Sequence, residues 1–128
     1  MANSARQKAW KLANPAKYRA GVNSYMRRKL RKQREAAIAK LGGVCARCGF
    51  SDTRALQIDH IKGDGHIERA LSGSCNHLKM YRIILNGRGA GKYQLLCANC
   101  NWIKRFENEE FGPREKAVKA VEKAGLLL

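Results

Sequence analysis

The stretch Tyr93–Arg105, YQLLCANCNWIKR, decides how this chain folds. A short β-prone run enters a Cys-x-x-Cys pair, Cys97 and Cys100, and the pair opens onto Asn101 and the start of a helix. A two-residue gap lets one tight knuckle aim both thiolates at a single tetrahedral Zn²⁺. A matching pair, Cys45 and Cys48, stands upstream, and two knuckles complete a closed Cys₄ structural site. Disulfides are the poorer expectation. The cysteine total of 5 is odd, and the N-terminus MANSARQKAW lacks the apolar region of a secretory signal. Zinc also supplies folding free energy that the small core of a 128-residue chain needs.

The distance between the knuckles is informative. Paired knuckles of a zinc ribbon are separated by roughly 15–20 residues, whereas here the whole of Gly49–Leu96 intervenes. The insert carries ALQIDHI, an expected strand ending in Asp59-His60, followed by the flexible turn KGDGH. Leu78, Tyr81, Ile84 and Leu85 give helical spacing to Cys75–Leu85, which NGRGAG ends. KYQLLC is a second strand. NWIKRFENEEF reads as a helix with Trp102, Ile103 and Phe106 inward, Trp102 and Phe106 as core rather than as base-stacking platforms, and Lys104 and Arg105 on the Asn101 face, either holding phosphate or simply solvated. His66 reads as a solvated or phosphate-contacting loop residue, His77 as a helix-face residue and Cys75 as a lone thiol unless it substitutes in the zinc site.

Charge sets the partner. With 26 Lys and Arg against 10 Asp and Glu, the chain seeks polyanions, and no apolar run is long enough to span a bilayer. Nucleic acid in the cytosol is the expectation. Most of the charge lies in residues 1–43, where Arg27, Arg28, Arg31, Lys32 and Arg34 are the candidate DNA-binding residues. Asn14 and Pro15 suit a helix start, Gly21 is expected to interrupt, and a second helix is expected from about Ser24 to Leu41. Its thin stripe of Met26, Leu30, Ile38 and Leu41 could dock on a core or lie along DNA. Gly42 and Gly43 end it. The three parts are then a basic helical arm (1–43), a zinc-stapled core (44–112) and a C-terminal amphipathic helix (113–128) that starts at Pro113 and uses Ala117, Val118 and Val121.

Phosphodiester hydrolysis accounts for the residue types in the insert. The reaction needs a base to activate water and a hard cation to neutralise charge on the phosphate and leaving oxygen. An imidazole, with an ordinary pKa of about 6.5, suits the first task at cellular pH. A carboxylate and an amide oxygen suit Mg²⁺, which commonly keeps only one or two protein ligands. Neighbours on a regular strand point to opposite faces, so Asp59 and His60 can share a centre only where the strand ends or twists.

CARC, IDHI and YQLLCANCNWIKR in this order resemble the HNH endonucleases of the His-Me finger superfamily, especially the phage HNH and endonuclease VII-like branch, over about residues 44–108. The resemblance implies an α+β fold with a ββα-metal core stapled by the Cys₄ zinc. It implies His60 as general base, Asp59 and Asn101 as ligands of Mg²⁺ or Mn²⁺, and Cys45, Cys48, Cys97 and Cys100 on structural Zn²⁺. It further implies a phage or mobile-element origin. Asn101 stands where many members have His, and the family's middle Asn is replaced around Lys92, with Asn86 and Asn76 as substitutes. The expected activity is metal-dependent cleavage or nicking of DNA, with a homodimer or two successive nicks needed to cut both strands. The alternative is a non-catalytic zinc-stapled nucleic-acid adaptor or regulator.

Overall fold

A computed structural model of the chain describes residues 2–65, 67, 77–110, 112 and 125. His66, Cys75, Asn76 and the helix expected over 113–128 lie outside the described residues, Gly125 apart. The elements run α1 (Ala2–Ala13), α2 (Pro15–Lys40), β1 (Leu56–His60), α3 (His77–Leu85), β2 (Tyr93–Cys97) and α4 (Ala98–Glu107). The fold is α+β, as the sequence indicates. No described helix is long and apolar enough to cross a membrane.

The two strands form one antiparallel sheet, in register Leu56↔Cys97, Ile58↔Leu95 and His60↔Tyr93, with Gln57↔Leu96 and Asp59↔Gln94 between. Because side chains alternate along a strand, the first three pairs share one face and the other two share the opposite face. Apart from His60 at its end, the first face is apolar. It packs against Ala37 and Ile38 of α2 and Tyr81 and Ile84 of α3, with Leu30, Leu41, Met80 and Ile83 at the margin. The second face carries Gln57, Asp59 and Gln94 with the buried Leu96, and α4 covers it through polar contacts from Asn101 and Lys104.

α2 departs from expectation. Instead of breaking at Gly21 and restarting near Ser24, it runs unbroken from Pro15 to Lys40. One glycine costs a helix interior only about 1 kcal/mol, too little to stop propagation through a long run of helix formers. Asn14 does mark the junction, with Pro15 in the first turn, but its side chain makes no cap bond to α2. Its Nδ2 instead donates to the Trp10 carbonyl at 3.1 Å, closing α1. At the other end the Gly42 N–H donates to Ala39 O and the Gly43 N–H to Ile38 O, with φ of 102° and 71°. This is the Schellman arrangement, and its left-handed positions require glycine.

The last turns of α2 belong to the core. Ala37 and Ile38 are buried, and Arg34 fills the gap in the apolar row between Leu30 and Ile38. Its Nη2 donates to the carbonyls of Thr53 (3.0 Å) and Leu56 (2.7 Å), tying α2 to the start of β1. From Leu30 onward the stripe therefore docks on the core, whereas Met26 joins neither apolar cluster and belongs to the basic arm that precedes it. On that arm Tyr18, Val22 and Tyr25 are exposed, with the Lys11 and Lys29 ammonium groups over the two tyrosine rings.

A β-carbon added at Gly21 would meet nothing within 4 Å, and the residue has no left-handed φ. Gly21→Ala should therefore strengthen α2 by about 0.5–1 kcal/mol. The check is a more negative 222 nm ellipticity and a later loss of helix on heating, with zinc content unchanged.

Candidate functional site

The first knuckle is built by a tight turn. The Cys45 N–H donates to Phe50 O, the Gly49 N–H donates to Cys45 O, and Gly49 takes a φ of 78°. The Ala46 N–H donates to Leu95 O at 2.8 Å, hanging this knuckle on β2 beside the second one. The Ala98 N–H donates to Ala55 O, which fixes the second knuckle to the start of β1. The four sulfurs then lie within 4.8 Å of one another. A tetrahedral Zn²⁺ with bonds of about 2.3 Å separates its sulfurs by about 3.8 Å; Cys48 Sγ and Cys97 Sγ are 3.7 Å apart. Donor type and spacing both fit Zn²⁺. Among the described residues this is the only group of three or more His, Cys, Asp or Glu side chains close enough to hold an ion.

Cys45 and Cys100 are shifted in opposite directions. Burial alone would push the Cys45 thiol up, but backbone hydrogen bonds at Cys48, Cys97 and Arg47 outweigh it and bring it down to about 6. The side-chain hydrogen bond to Cys97, with burial and the other two thiols, pushes Cys100 up to about 12. A metal ion reverses the second effect, because thiolates coordinate and their protons leave.

The second knuckle also starts α4. The sequence places the helix start at Asn101, but α4 begins at Ala98, and Cys97 Sγ acts as the cap, accepting from the Cys100 N–H at 3.4 Å. With Cys100 turned to the other thiols, helical periodicity brings Asn101 and Lys104 onto the sheet. Trp102, Ile103 and Phe106, expected inward, are 55%, 46% and 47% exposed. Arg47 clamps the far end of the helix through a two-armed bond to Glu107, at 2.9 and 2.6 Å.

Asp59 and His60 project to opposite faces, as their alternation requires. Asp59 Oδ2 accepts from Gln94 Nε2 and is ion-paired to Lys104 Nζ, both at 3.0 Å. The Lys104 ammonium also bonds to the His60 carbonyl and to Glu110 Oε1, each at 2.9 Å. Three oxygens thus converge on one cationic nitrogen. Lys104, offered by the sequence as a phosphate contact or a solvated cation, is instead 8% exposed. Burial by itself would lower its pKa, but the bonds to Glu110 and Asp59 raise it above the ordinary lysine range. Burial likewise opposes ionisation of Glu110, and its bonds from Asn108 and Lys104 hold it below the usual carboxylate range.

Asn101 lies on the same helix face as Lys104, one turn earlier. Its Nδ2 donates to Gln57 Oε1 at 2.6 Å, two residues before Asp59 on the same strand face. In this structure Asn101 meets Gln57, and it is Lys104 that meets Asp59. The His60 ring stands edge-on to Tyr93 with centroids 5.0 Å apart. The turn after β1 closes over it: a β-carbon at Gly65 would stand 2.8 Å from His60 Nδ1, and one at Gly63 would stand 2.5 Å from the Glu110 carboxyl. The two glycines of KGDG let this turn lie against both groups. The position around Lys92, where the family's middle Asn is replaced, anchors the same turn through its main chain, since Lys92 O accepts from the Ile61 N–H at 3.0 Å.

Of the proposed DNA contacts, Arg28, Arg31 and Lys32 are exposed and share one face of α2. Arg27 Nε reaches the Asn23 carbonyl at 3.4 Å. Arg34 is committed to the core, and the Arg105 guanidinium lies 4.9 Å from the Trp102 ring centroid. Gln57, Gln94 and Glu110 join the site without having been singled out by motif or spacing. The available signal for the first two is strand alternation, which puts Gln57 on the face of Asp59. No protein-family model, curated protein or solved structure matches the chain.

Two outcomes are expected. Zinc should bind one ion per chain and release protons, so its affinity should rise with pH; the dependence should steepen by one proton below about pH 6, where Cys45 also protonates. Competition with a chelator from pH 5 to 8 measures it, and Cys100→Ser should abolish stoichiometric binding. Lys104→Ala strands the buried Asp59 carboxylate and should destabilise the fold by about 3 kcal/mol or more in urea unfolding.

Proposed function

We propose that this chain is a divalent-metal-dependent DNA endonuclease with a ββα-metal core, and that its cysteines hold structural Zn²⁺. The carrying observation is the convergence of Asp59 Oδ2, the His60 carbonyl and Glu110 Oε1 on one cation at the end of β1, where the His60 imidazole stands half-buried on the other face of the strand. That end of the strand is a place where oxygen ligands already gather around positive charge. Asp59 and Asn101 would hold Mg²⁺ or Mn²⁺, which, when bound, neutralises charge on the scissile phosphate and the departing oxygen. Their carboxylate and amide oxygens fit a hard cation.

The chain's own groups supply the rest. His60, oriented by the Tyr93 edge and the Gly65 backbone, takes the proton of the attacking water. Attack in line with the 3′ oxygen leaves 5′-phosphate and 3′-hydroxyl ends. Lys104 exchanges the Asp59 carboxylate for a phosphate oxygen as DNA arrives, so ion and substrate favour each other's binding. The basic arm holds the backbone without reading sequence. One centre per chain makes a nick, and a homodimer or a second encounter cuts both strands. Thiols held for metal and a cationic chain support activity on DNA in a reducing compartment such as the cytosol.

One observation favours a second reading. A buried ammonium bonded to Asp59 can substitute permanently for a metal, and the chain is then a zinc-stapled DNA-binding adaptor. Plasmid relaxation separates the two. The nuclease should convert supercoiled to open-circular DNA with Mg²⁺ or Mn²⁺ and not with EDTA. His60→Ala should bind equally and cut at least about a hundredfold more slowly, and Asp59→Asn should raise the metal concentration required. An adaptor would retard the plasmid and leave its topology untouched under every condition.

A further inference from the structure

From the outer face of α4 we infer a stacking platform for unpaired nucleobases, formed by Trp102 and Phe106 with Arg105 and Ile103, so that the preferred ligand is single-stranded DNA or DNA with unpaired bases. It rests on the nucleic-acid reading above and sharpens its substrate class. The rings of Trp102 and Phe106 meet at 64° with centroids 5.6 Å apart. Both are about half exposed, as is Ile103 between them.

The exposure has a cause. Cys100 and Lys104 commit the inner face of α4 to the thiol cluster and to Asp59, so Trp102, Ile103 and Phe106 have no route into the core. The clamp from Arg47 to Glu107 and the cap at Cys97 hold the helix at both ends, giving the rings a fixed base. A purely apolar patch would suit a protein partner. Here the Arg105 guanidinium lies over Trp102, placing positive charge beside the aromatic faces. Flat apolar faces with an adjacent cation match a base with its phosphate, and the chain's net charge of +16 draws such a strand in. A second copy docking this face on itself would set its own Arg105 against this one, cation against cation. In intact duplex the base faces are already stacked on one another and offer nothing to these rings.

The platform can be tested apart from cleavage by working in EDTA with the full chain. Trp10→Phe leaves Trp102 as the single tryptophan reporter. Oligothymidylate should quench its emission, and duplex of equal length should quench it far less. Trp102→Ala and Phe106→Ala, each with wild-type zinc content and helicity, should weaken oligothymidylate binding about tenfold or more and change duplex binding by less than about twofold. Trp102→Leu, which keeps apolar bulk without a π-face, should behave like Trp102→Ala and serves if the alanine variant folds poorly. Equal losses on both DNAs, no loss on either, or a wild-type dimer that Trp102→Ala dissolves would each overturn the platform. Duplex bound as expected with no quenching by oligothymidylate rejects the platform alone; failure to bind either DNA rejects the nucleic-acid reading with it.

Discussion

The convergence of four thiols is the constraint from which the rest of the structure follows. It sets the position of α4 and also its rotation. Cys100 lies in the first turn and must face Cys45, Cys48 and Cys97, so Asn101 beside it and Lys104 one turn further on are delivered to β1. The same rotation turns Trp102, Ile103 and Phe106 outward against their hydrophobicity. Leaving three large apolar side chains half exposed forgoes a few kcal/mol of burial, and the thiol cluster, worth roughly 10 kcal/mol or more as a zinc site, outweighs it. The thiol cluster therefore decides a packing question that hydropathy would answer the other way.

The second organising feature is the buried charge beneath that helix. Lys104 is almost inaccessible, and it is tolerated because Asp59 and Glu110 both ion-pair with it and the His60 carbonyl accepts from it. Such an arrangement contributes little net stability compared with an apolar cluster of equal size, since desolvating the charges costs about what their attraction returns. Stability alone therefore does not account for its presence. A site that served only to close the sheet could have employed leucines, as the opposite face does with Leu56 and Leu95.

Much of this is legible in the sequence. The strands ending at His60 and Cys97, the glycine stop after Leu41 and the zinc ligands all follow from local rules that tertiary contacts reinforce. The departures share a cause, which is a local rule applied where a stronger one holds. Gly21 has the look of a breaker, yet its cost is small against a long helix, and hydropathy points the apolar face of α4 inward although Cys100 already fixes the rotation. Arg34 can be found from the sequence: it stands in the row Leu30, Arg34, Ala37, Ile38 and Leu41, where a cation in an apolar stripe must reach backbone acceptors. The Lys104 network cannot, because Glu110 comes to it from beyond the end of α4, and no periodicity encodes that return.

The relation of Asp59 to Asn101 shows what the thiol cluster does and does not determine. It places both on one sheet face, but with Asn101 against Gln57 and Lys104 against Asp59. For Asp59 and Asn101 to share a divalent ion, the Asn101 amide must exchange Gln57 for the ion, and Lys104 must give up one of its two carboxylates. Neither change disturbs the helix, since both side chains move about a backbone held by the cap at Cys97 and the Arg47 clamp. Lys104 would retain Glu110, so its charge would not be stranded, and Asp59 would exchange a single positive charge for a double one. On the proposed reading, metal loading would then move two side chains and not the helix, and Glu110 would keep the cost of that exchange low.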